Sequence, residues 1–416
     1  MFQSRITRYL GGEGMGLLSL AMNAEALAVT LASSGIRYSV TRLVSEENSL
    51  RRPEGVRSVL LTASLLSLTC SLTAAAMLFA FSGKLAAFAG DVRIAPSLRC
   101  FAFGLPAMAL NAVLGGCFTA MMKPWKGCVG QFIEQISMIL LTSLLLPRIP
   151  VHDPARSCAA VACSGAASNL LSLLISYILY RYRNPPVRLP KGSLRLILPR
   201  FRRLSLPLAF SSYARTALST LQHLLVPKAL RRCGYGAAQA LTVYGTVTGM
   251  VFPVLGFASV FFSALSELLI PRLTGAQLQG RRAEMERSAG RILSACILFS
   301  TAASLTLYLL GPRLGQLLFR SAEAGLYIRI LAPLVIVMYS DSVVDGMLKG
   351  LGLQLSSMVI NLTDAALTLV CVSFLLPRFG TSAYIGILYF SECFNFLLSY
   401  LRLRKSLRFR LLAFRA

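Results

Sequence analysis

Apolar runs almost free of charge recur along this chain, separated by short polar connections. About 20 apolar residues suffice for a helix to cross a hydrocarbon core of about 30 Å at 1.5 Å per residue. In that medium every backbone N–H and C=O has to be satisfied within the protein, which a helix achieves alone. About eleven such runs can be drawn: 16–36, 56–82, 94–119, 125–147, 156–182, 202–229, 238–268, 288–311, 323–348, 354–378 and 382–403. The expected fold class is an all-α polytopic membrane protein. Composition agrees, with 55% of the 416 residues hydrophobic and 14% charged, more apolar than a soluble core of this size requires.

A net charge of +26 would suggest nucleic acid as partner in a soluble protein, but here the Lys and Arg residues sit between the apolar runs. Such placement obeys the positive-inside bias and suits anionic lipid headgroups, which excludes a nucleic-acid reading. Alternate connections place about 27 of the 42 basic residues on one side and about 14 on the other, so the first side is expected to be cytoplasmic. The C-terminus then lies inside and the N-terminus outside. An odd number of spans starting outside, with no signal peptide, is unusual. The opening MFQSRITRYLGGEGMGLLSL, rich in glycine, reads as an inter-helix loop whose preceding helix is absent. The ten cysteines are scattered without a CxxC pair, and there are two histidines. No metal site, cofactor or disulfide framework is expected, because thiols inside spans behave as small apolar groups.

Transporters are commonly built from repeated bundles. A shift of 230 residues aligns 98–148, "LRCFAFGLPAMALNAVLGG…SLLLPR", with 328–378, "IRILAPLVIVMYSDSVVDG…SFLLPR", without a gap. Arg99 meets Arg329, Met108 meets Met338, Gly116 meets Gly346, Glu134 meets Asp364, and Pro147-Arg148 meets Pro377-Arg378. The expected organisation is therefore an N-terminal bundle over 1–183, a basic cytoplasmic linker over 184–201, a C-terminal bundle over 202–404 and a basic tail over 405–416. Five spans stand against six, and the span without a partner is 202–229. The linker carries prolines and many basic residues, and part of it fits an amphipathic helix at the membrane surface.

Several stretches carry a resemblance: "LGGEGMGLLSL" (10–20), "LASSGIRYSVTRLVSE" (31–46), "GQFIEQ" (130–135), "LLVPKAL" (224–230), and "YGTVTGMVFPVL" (244–255) followed by "LSELLIPRL" (265–273). In order and spacing they resemble the polysaccharide-transport and stage V sporulation protein B group of the multidrug/oligosaccharidyl-lipid/polysaccharide (MOP) superfamily. The resemblance implies two pseudo-symmetric six-helix bundles around a central cavity, here five plus six with the first helix missing. It implies alternating access for a lipid-linked saccharide precursor in a bacterial cytoplasmic membrane, by a monomer among membrane lipids.

Ionisable groups inside spans are costly and are functional candidates by default. Arg215 lies deep in its run, and its planar donor fork suits a diphosphate, so it is a candidate contact for a polyprenyl-diphosphate headgroup; an ion pair with Glu25 is the competing reading. Arg42 and Arg272 occupy equivalent repeat positions, where they either guide an anionic headgroup or set topology. Glu25, Glu134, Gln131, Asp364 and Asn361 are candidates for sugar hydroxyls, and Glu134, Asp341 and Asp364 for a coupling cation; hydrogen bonding between helices is the plainer alternative. Pro253, Pro271 and Gly249 predict a bent or broken helix, a candidate hinge. Three functions remain in view: a flippase for lipid-linked saccharides, a cation-coupled drug or small-molecule antiporter, and a membrane glycosyltransferase. The last lacks the sizeable loop with paired carboxylates that such enzymes use. A truncated product with an incomplete first bundle is a further alternative.

Overall fold

The structure, a computed structural model, describes residues 2–50, 52–150, 153–182, 193–257, 259 and 282–407. Among these the regular structure is helical throughout: α1 (Phe2–Ser33), α2 (Ile36–Ser49), α3 (Pro53–Ala80), α4 (Ser82–Ala89), α5 (Ala95–Ala120), α6 (Pro124–Leu145), α7 (Pro154–Arg181), α8 (Ser193–Arg232), α9 (Ala237–Gly245), α10 (Phe252–Leu255), α11 (Arg282–Phe319), α12 (Ala322–Leu331), α13 (Leu334–Gly350), α14 (Gln354–Phe374) and α15 (Leu376–Ser406). Proline opens α3, α6 and α7, where its missing N–H has no intrahelical partner to lose. Asp153 caps α7 by accepting the Arg156 N–H at 3.1 Å.

Nine described helical segments are long and apolar enough to cross a membrane, and α12 with α13, bent by 56°, makes a tenth. The bend falls at Pro333, which cannot donate a helical hydrogen bond. Ten of the eleven apolar runs thus overlap these segments, residues 258 and 260–268 of the run 238–268 lying outside the described residues. The eleventh, 202–229, lies inside the 40-residue α8, where serines, threonines and Arg215 make it less apolar than the rest. Residues 193–201, read from sequence as linker, are the first turns of α8. Ile197 and Phe201 are buried in a core that also holds Val40, Val44, Val59 and Cys117, while Pro199 and Arg200 on the other side of the helix are exposed.

The chain divides into two compact units, one formed by Leu17–Leu224 with Phe2 and the other by Gln3–Gly16 with Leu225–Ala416. In the first unit α7 packs against α5 and α6. Its buried serines 157, 164, 168, 172 and 176 keep that interface thin. Ser164 and Ser168 return their hydroxyls to the carbonyls four residues earlier, so these two hydroxyls are not stranded. Cys100 and Cys163 form a disulfide between α5 and α7, with Cα atoms 5.0 Å apart, which corrects the expectation of isolated thiols. The outer face of α6 shows Phe132, Ile136, Leu140 and Leu144, an apolar stripe at helical spacing suited to lipid.

The opening residues correct a second expectation. They are helical from Phe2, with a break at Gly11, whose φ of 65° belongs to the left-handed region. The neighbouring glycines serve packing instead. A Cβ on Gly245 would stand 2.2 Å from the Gly16 nitrogen and 2.3 Å from the Gly12 carbonyl oxygen, and one on Gly16 would stand 2.3 Å from the Leu241 oxygen. Within the second unit, α1 and α9 therefore touch backbone to backbone.

The 230-residue repeat extends to the turns. α5 ends at Ala120 and α13 at Gly350; α6 starts at Pro124 and α14 at Gln354. In the first turn the Met121, Met122 and Lys123 N–H groups donate to Cys117, Thr119 and Phe118; in the second the Leu351, Gly352 and Leu353 groups donate to Met347, Lys349 and Leu348. Met122 and Gly352 occupy the same left-handed position, with φ 57° and 75°. Arg99 lies over the Phe79 ring at 5.7 Å and Arg329 over the Tyr308 ring at 4.7 Å, so the paired arginines share an aromatic seat.

Two outcomes follow in detergent-solubilised protein. Gly245→Ala is expected to cost about 3 kcal/mol by overpacking, whereas Gly290→Ala, whose Cβ meets nothing within 4 Å, is expected to be neutral or stabilising; thermal unfolding separates them. Met122→Gly, at a residue 87% exposed, is expected to stabilise by about 1 kcal/mol through relief of the left-handed backbone.

Candidate functional site

Each unit encloses a polar group of its own. In the first, Glu25 of α1 lies near enough to Glu134 of α6 for the two carboxylates to act on each other electrostatically. The Ser172 hydroxyl of α7 bonds to the Gly130 carbonyl at 3.0 Å and lies against the Glu134 carboxylate. Gln131 is exposed one turn before Glu134. On α5, Asn111 donates to the Asn169 carbonyl at 3.3 Å, while its own Oδ1 is buried with no hydrogen-bond partner among the described residues.

Arg215 stands apart from this group. Tyr213, Thr216 and Thr220 turn one face of α8 to α1: Tyr213 donates to the Leu31 carbonyl at 3.3 Å, Thr216 bonds to Thr30 at 3.3 Å, and Thr220 donates to the Asn23 carbonyl at 3.0 Å. At 100° per residue Arg215 lies roughly 130° around the helix from that face. It is exposed and in no ion pair among the described residues, so the competing Arg215–Glu25 ion pair is not formed. Arg42 is also exposed, but it is paired with Glu46 at 3.3 Å, and Arg200 approaches Glu46 at 3.5 Å and Glu47 at 3.7 Å. Arg272 and Pro271 lie outside the described residues.

The second unit holds the denser cluster. Asp341 and Asp345 sit one turn apart on α13, Asp364 on α14 and Glu392 on α15, and the last three all act electrostatically on Asp341, as does Lys349. Lys349 pairs with Asp345 at 2.5 Å, and the Ser357 hydroxyl also donates to Asp345. Ser391 donates to Asp364 at 2.9 Å. Asn361, Asn395 and Ser399 form a chain across α14 and α15: the Asn395 amide donates to Asn361 Oδ1 at 3.0 Å and Ser399 to Asn395 Oδ1 at 3.3 Å. Asp341 Oδ1 is buried without a hydrogen-bond partner among the described residues. A buried acceptor left open in this way is costly. No group of three or more His, Cys, Asp and Glu side chains is arranged to hold a metal ion among the described residues.

The sequence named Glu25, Glu134, Asp341, Asp364 and Asn361 as separate candidates, and the structure brings Glu25 toward Glu134 and Asp364 toward Asp341. Sequence reasoning left Ser172, Ser391 and Asn111 out. The repeat register carried a signal for Asn111, since 111 plus 230 is 341, and both oxygens are open. Gly249 and Pro253 lie where the helix departs from α geometry: residues 246–251 are wound as a π-helix that Pro253 follows, and the buried Tyr339 hydroxyl donates to the Leu255 carbonyl at 2.6 Å.

Comparison with known proteins adds a family. The family described as Polysaccharide biosynthesis protein matches residues 5–277. Stage V sporulation protein B of Bacillus subtilis (strain 168) is 22% identical over 367 residues, which cover 86% of this chain and 71% of that protein. Among solved structures, a multidrug resistance MATE family transporter of the MOP superfamily in its inward-facing conformation superposes with a TM-score of 0.81 at 15% identity, covering 98% of this chain and 94% of that one. A MOP superfamily transporter from Pyrococcus furiosus gives 0.65 at 16% identity, with 97% and 91% covered. At such identities these structures show the fold.

The asparagine chain has a measurable consequence. A double-mutant cycle with Asn361→Leu and Asn395→Leu is expected to give a coupling of about 0.6–1.7 kcal/mol in denaturant unfolding from mixed micelles, the range seen for polar contacts between membrane helices.

Proposed function

Since the chain belongs to the polysaccharide biosynthesis protein family and has the fold of MOP superfamily transporters, we propose that it is a flippase that moves a lipid-linked oligosaccharide or polysaccharide precursor across a bacterial cytoplasmic membrane. It is a multi-pass membrane protein. In this reading its C-terminus is cytoplasmic, transport proceeds by alternating access, and no bond is made or broken. The family match over 5–277 is the observation that carries the proposal.

The residues divide the work by charge. Arg215, exposed and free of carboxylates among the described residues, is the candidate contact for an anionic diphosphate headgroup. Gln131, Glu134 and Asn361 offer acceptors and amide donors to sugar hydroxyls. Asp341, with its open Oδ1 facing a field set by Asp345, Asp364 and Glu392, is the candidate seat of a coupling cation, with Asp364 and Glu134 as further candidates. Arg42 is held by Glu46, and such an exposed pair contributes at most about 1 kcal/mol, so it remains available to an incoming headgroup. Gly249 and Pro253 supply the local irregularity a hinge needs.

The test is a reconstituted assay in which headgroup accessibility of a fluorescent polyprenyl-diphosphate saccharide is followed in proteoliposomes. Wild type is expected to equilibrate the probe between leaflets, Arg215→Ala to slow it by about tenfold or more, and Asp341→Asn to abolish its response to an imposed proton or sodium gradient. Unchanged transport in Arg215→Ala removes that residue from the site. Efflux of cationic dyes without saccharide flipping favours the antiporter and overturns the proposal.

A further inference from the structure

A groove of about 320 Å3 lies on the first unit where α3, α5 and α7 meet, and nothing in the transport reading uses it. Its mouth holds Arg57, in the first turns of α3, and Arg181, the last residue of α7. Both guanidiniums act electrostatically on Tyr180, which also lines the groove, and neither is paired with a carboxylate among the described residues. Among the described residues no acidic side chain lines the groove. Below the mouth the walls turn apolar, with Leu61, Leu114 and Leu173. Leu173 lies eight residues before Arg181, so the apolar slot reaches about 12 Å along the helix axes from the charged rim. Tyr177, 53% exposed, flanks the rim where aromatic side chains sit at the membrane interface.

Two cations at the end of a membrane-spanning bundle, above a slot lined by leucine, are complementary to one class of molecule: a lipid with an anionic headgroup and hydrocarbon chains. We propose that this groove is a binding site for an anionic glycerophospholipid of the surrounding bilayer, its phosphate between Arg57 and Arg181 and an acyl chain along Leu61, Leu114 and Leu173. A freely soluble phosphate would use the rim and leave the slot empty. The floor is well founded, because Leu60 and Val113, which also line the groove, belong to the same buried core as Val40 and Phe201. The slot is therefore held open by packing on its far side rather than by the lipid itself.

Native mass spectrometry of the full chain in detergent, titrated with phosphatidylglycerol or phosphatidylethanolamine, tests this. Wild type is expected to retain phosphatidylglycerol more tightly by on the order of tenfold, since each basic residue near an anionic surface contributes about a factor of five. The Arg57→Gln/Arg181→Gln double variant is expected to lose that preference, and Arg57→Lys/Arg181→Lys to keep most of it. Leu114→Trp, which fills the slot and leaves the rim charged, is expected to weaken both lipids. Melting temperature checks that each variant is folded, and inorganic phosphate at millimolar concentration is expected not to displace the lipid. Equal retention of the two lipids by wild type, an undiminished preference in the folded glutamine variant, displacement by inorganic phosphate, or tighter retention of a polyprenyl phosphate than of phosphatidylglycerol would each overturn the proposal.

Discussion

Helix backbones in this protein approach one another directly, and that closeness governs what the side chains can do. Between α1 and α9 it is imposed by Gly12, Gly16 and Gly245; between α11 and α12 by Gly315 and Gly325, where a Cβ would stand 2.2 Å from a backbone nitrogen. Between α6 and α7 a Cβ on Gly130 would stand 2.6 Å from the Ser176 hydroxyl oxygen, so small residues meet there too. In a hydrocarbon medium, apolar side chains gain little by leaving lipid for protein. Association then rests on dispersion at short range and on hydrogen bonds, and both require small residues at the crossing points.

Thin interfaces also decide where polar groups can be carried. A long acid or amide on a helix that sits far from its neighbour would face lipid. With backbones in contact, the same side chain meets a partner on the next helix, as Asp364 meets Ser391 and Asn361 meets Asn395. Lys126 shows the same logic at a helix end. It is 6% exposed, and its ammonium donates to the Leu179 carbonyl at 2.7 Å, satisfying a last-turn acceptor of α7 that α7 itself cannot satisfy.

The apolar runs made most of the spans legible, because the requirement for internally satisfied backbone leaves a strong and simple pattern. The repeat was legible as a register of 98–148 on 328–378, while the matched left-handed turn at Met122 and Gly352 emerges only in the structure. Three features were hidden for identifiable reasons. Glycine marks a turn and a close contact with the same letter, so the opening stretch read as a loop although only Gly11 departs from helical geometry. Lys126 and Lys349 read as topology-setting cations, because their partners, a carbonyl 53 residues away and a carboxylate one turn earlier, become evident only when helices are built. Cys100 and Cys163 are 63 residues apart, with no spacing rule to join them.

A duplicated frame need not keep duplicated chemistry, and here the two copies diverge at matched positions. Asn111, Gln131 and Glu134 of the first unit correspond to Asp341, Asn361 and Asp364 of the second. An amide stands in one copy where the other has an acid, and the Oδ1 is open in both. An amide oxygen left open in a buried place is a modest cost, and water or a hydroxyl relieves it. A carboxylate in the same place, with Asp345, Asp364 and Glu392 acting on it, is relieved only by positive charge. Lys349 supplies some, but it is already joined to Asp345. The frame shared by both halves thus offers an amide acceptor in one and a carboxyl group, open to a proton or a cation, in the other. That difference is the physical ground on which the proposed cation seat is placed at Asp341, while its counterpart Asn111 remains a plain hydrogen-bonding group.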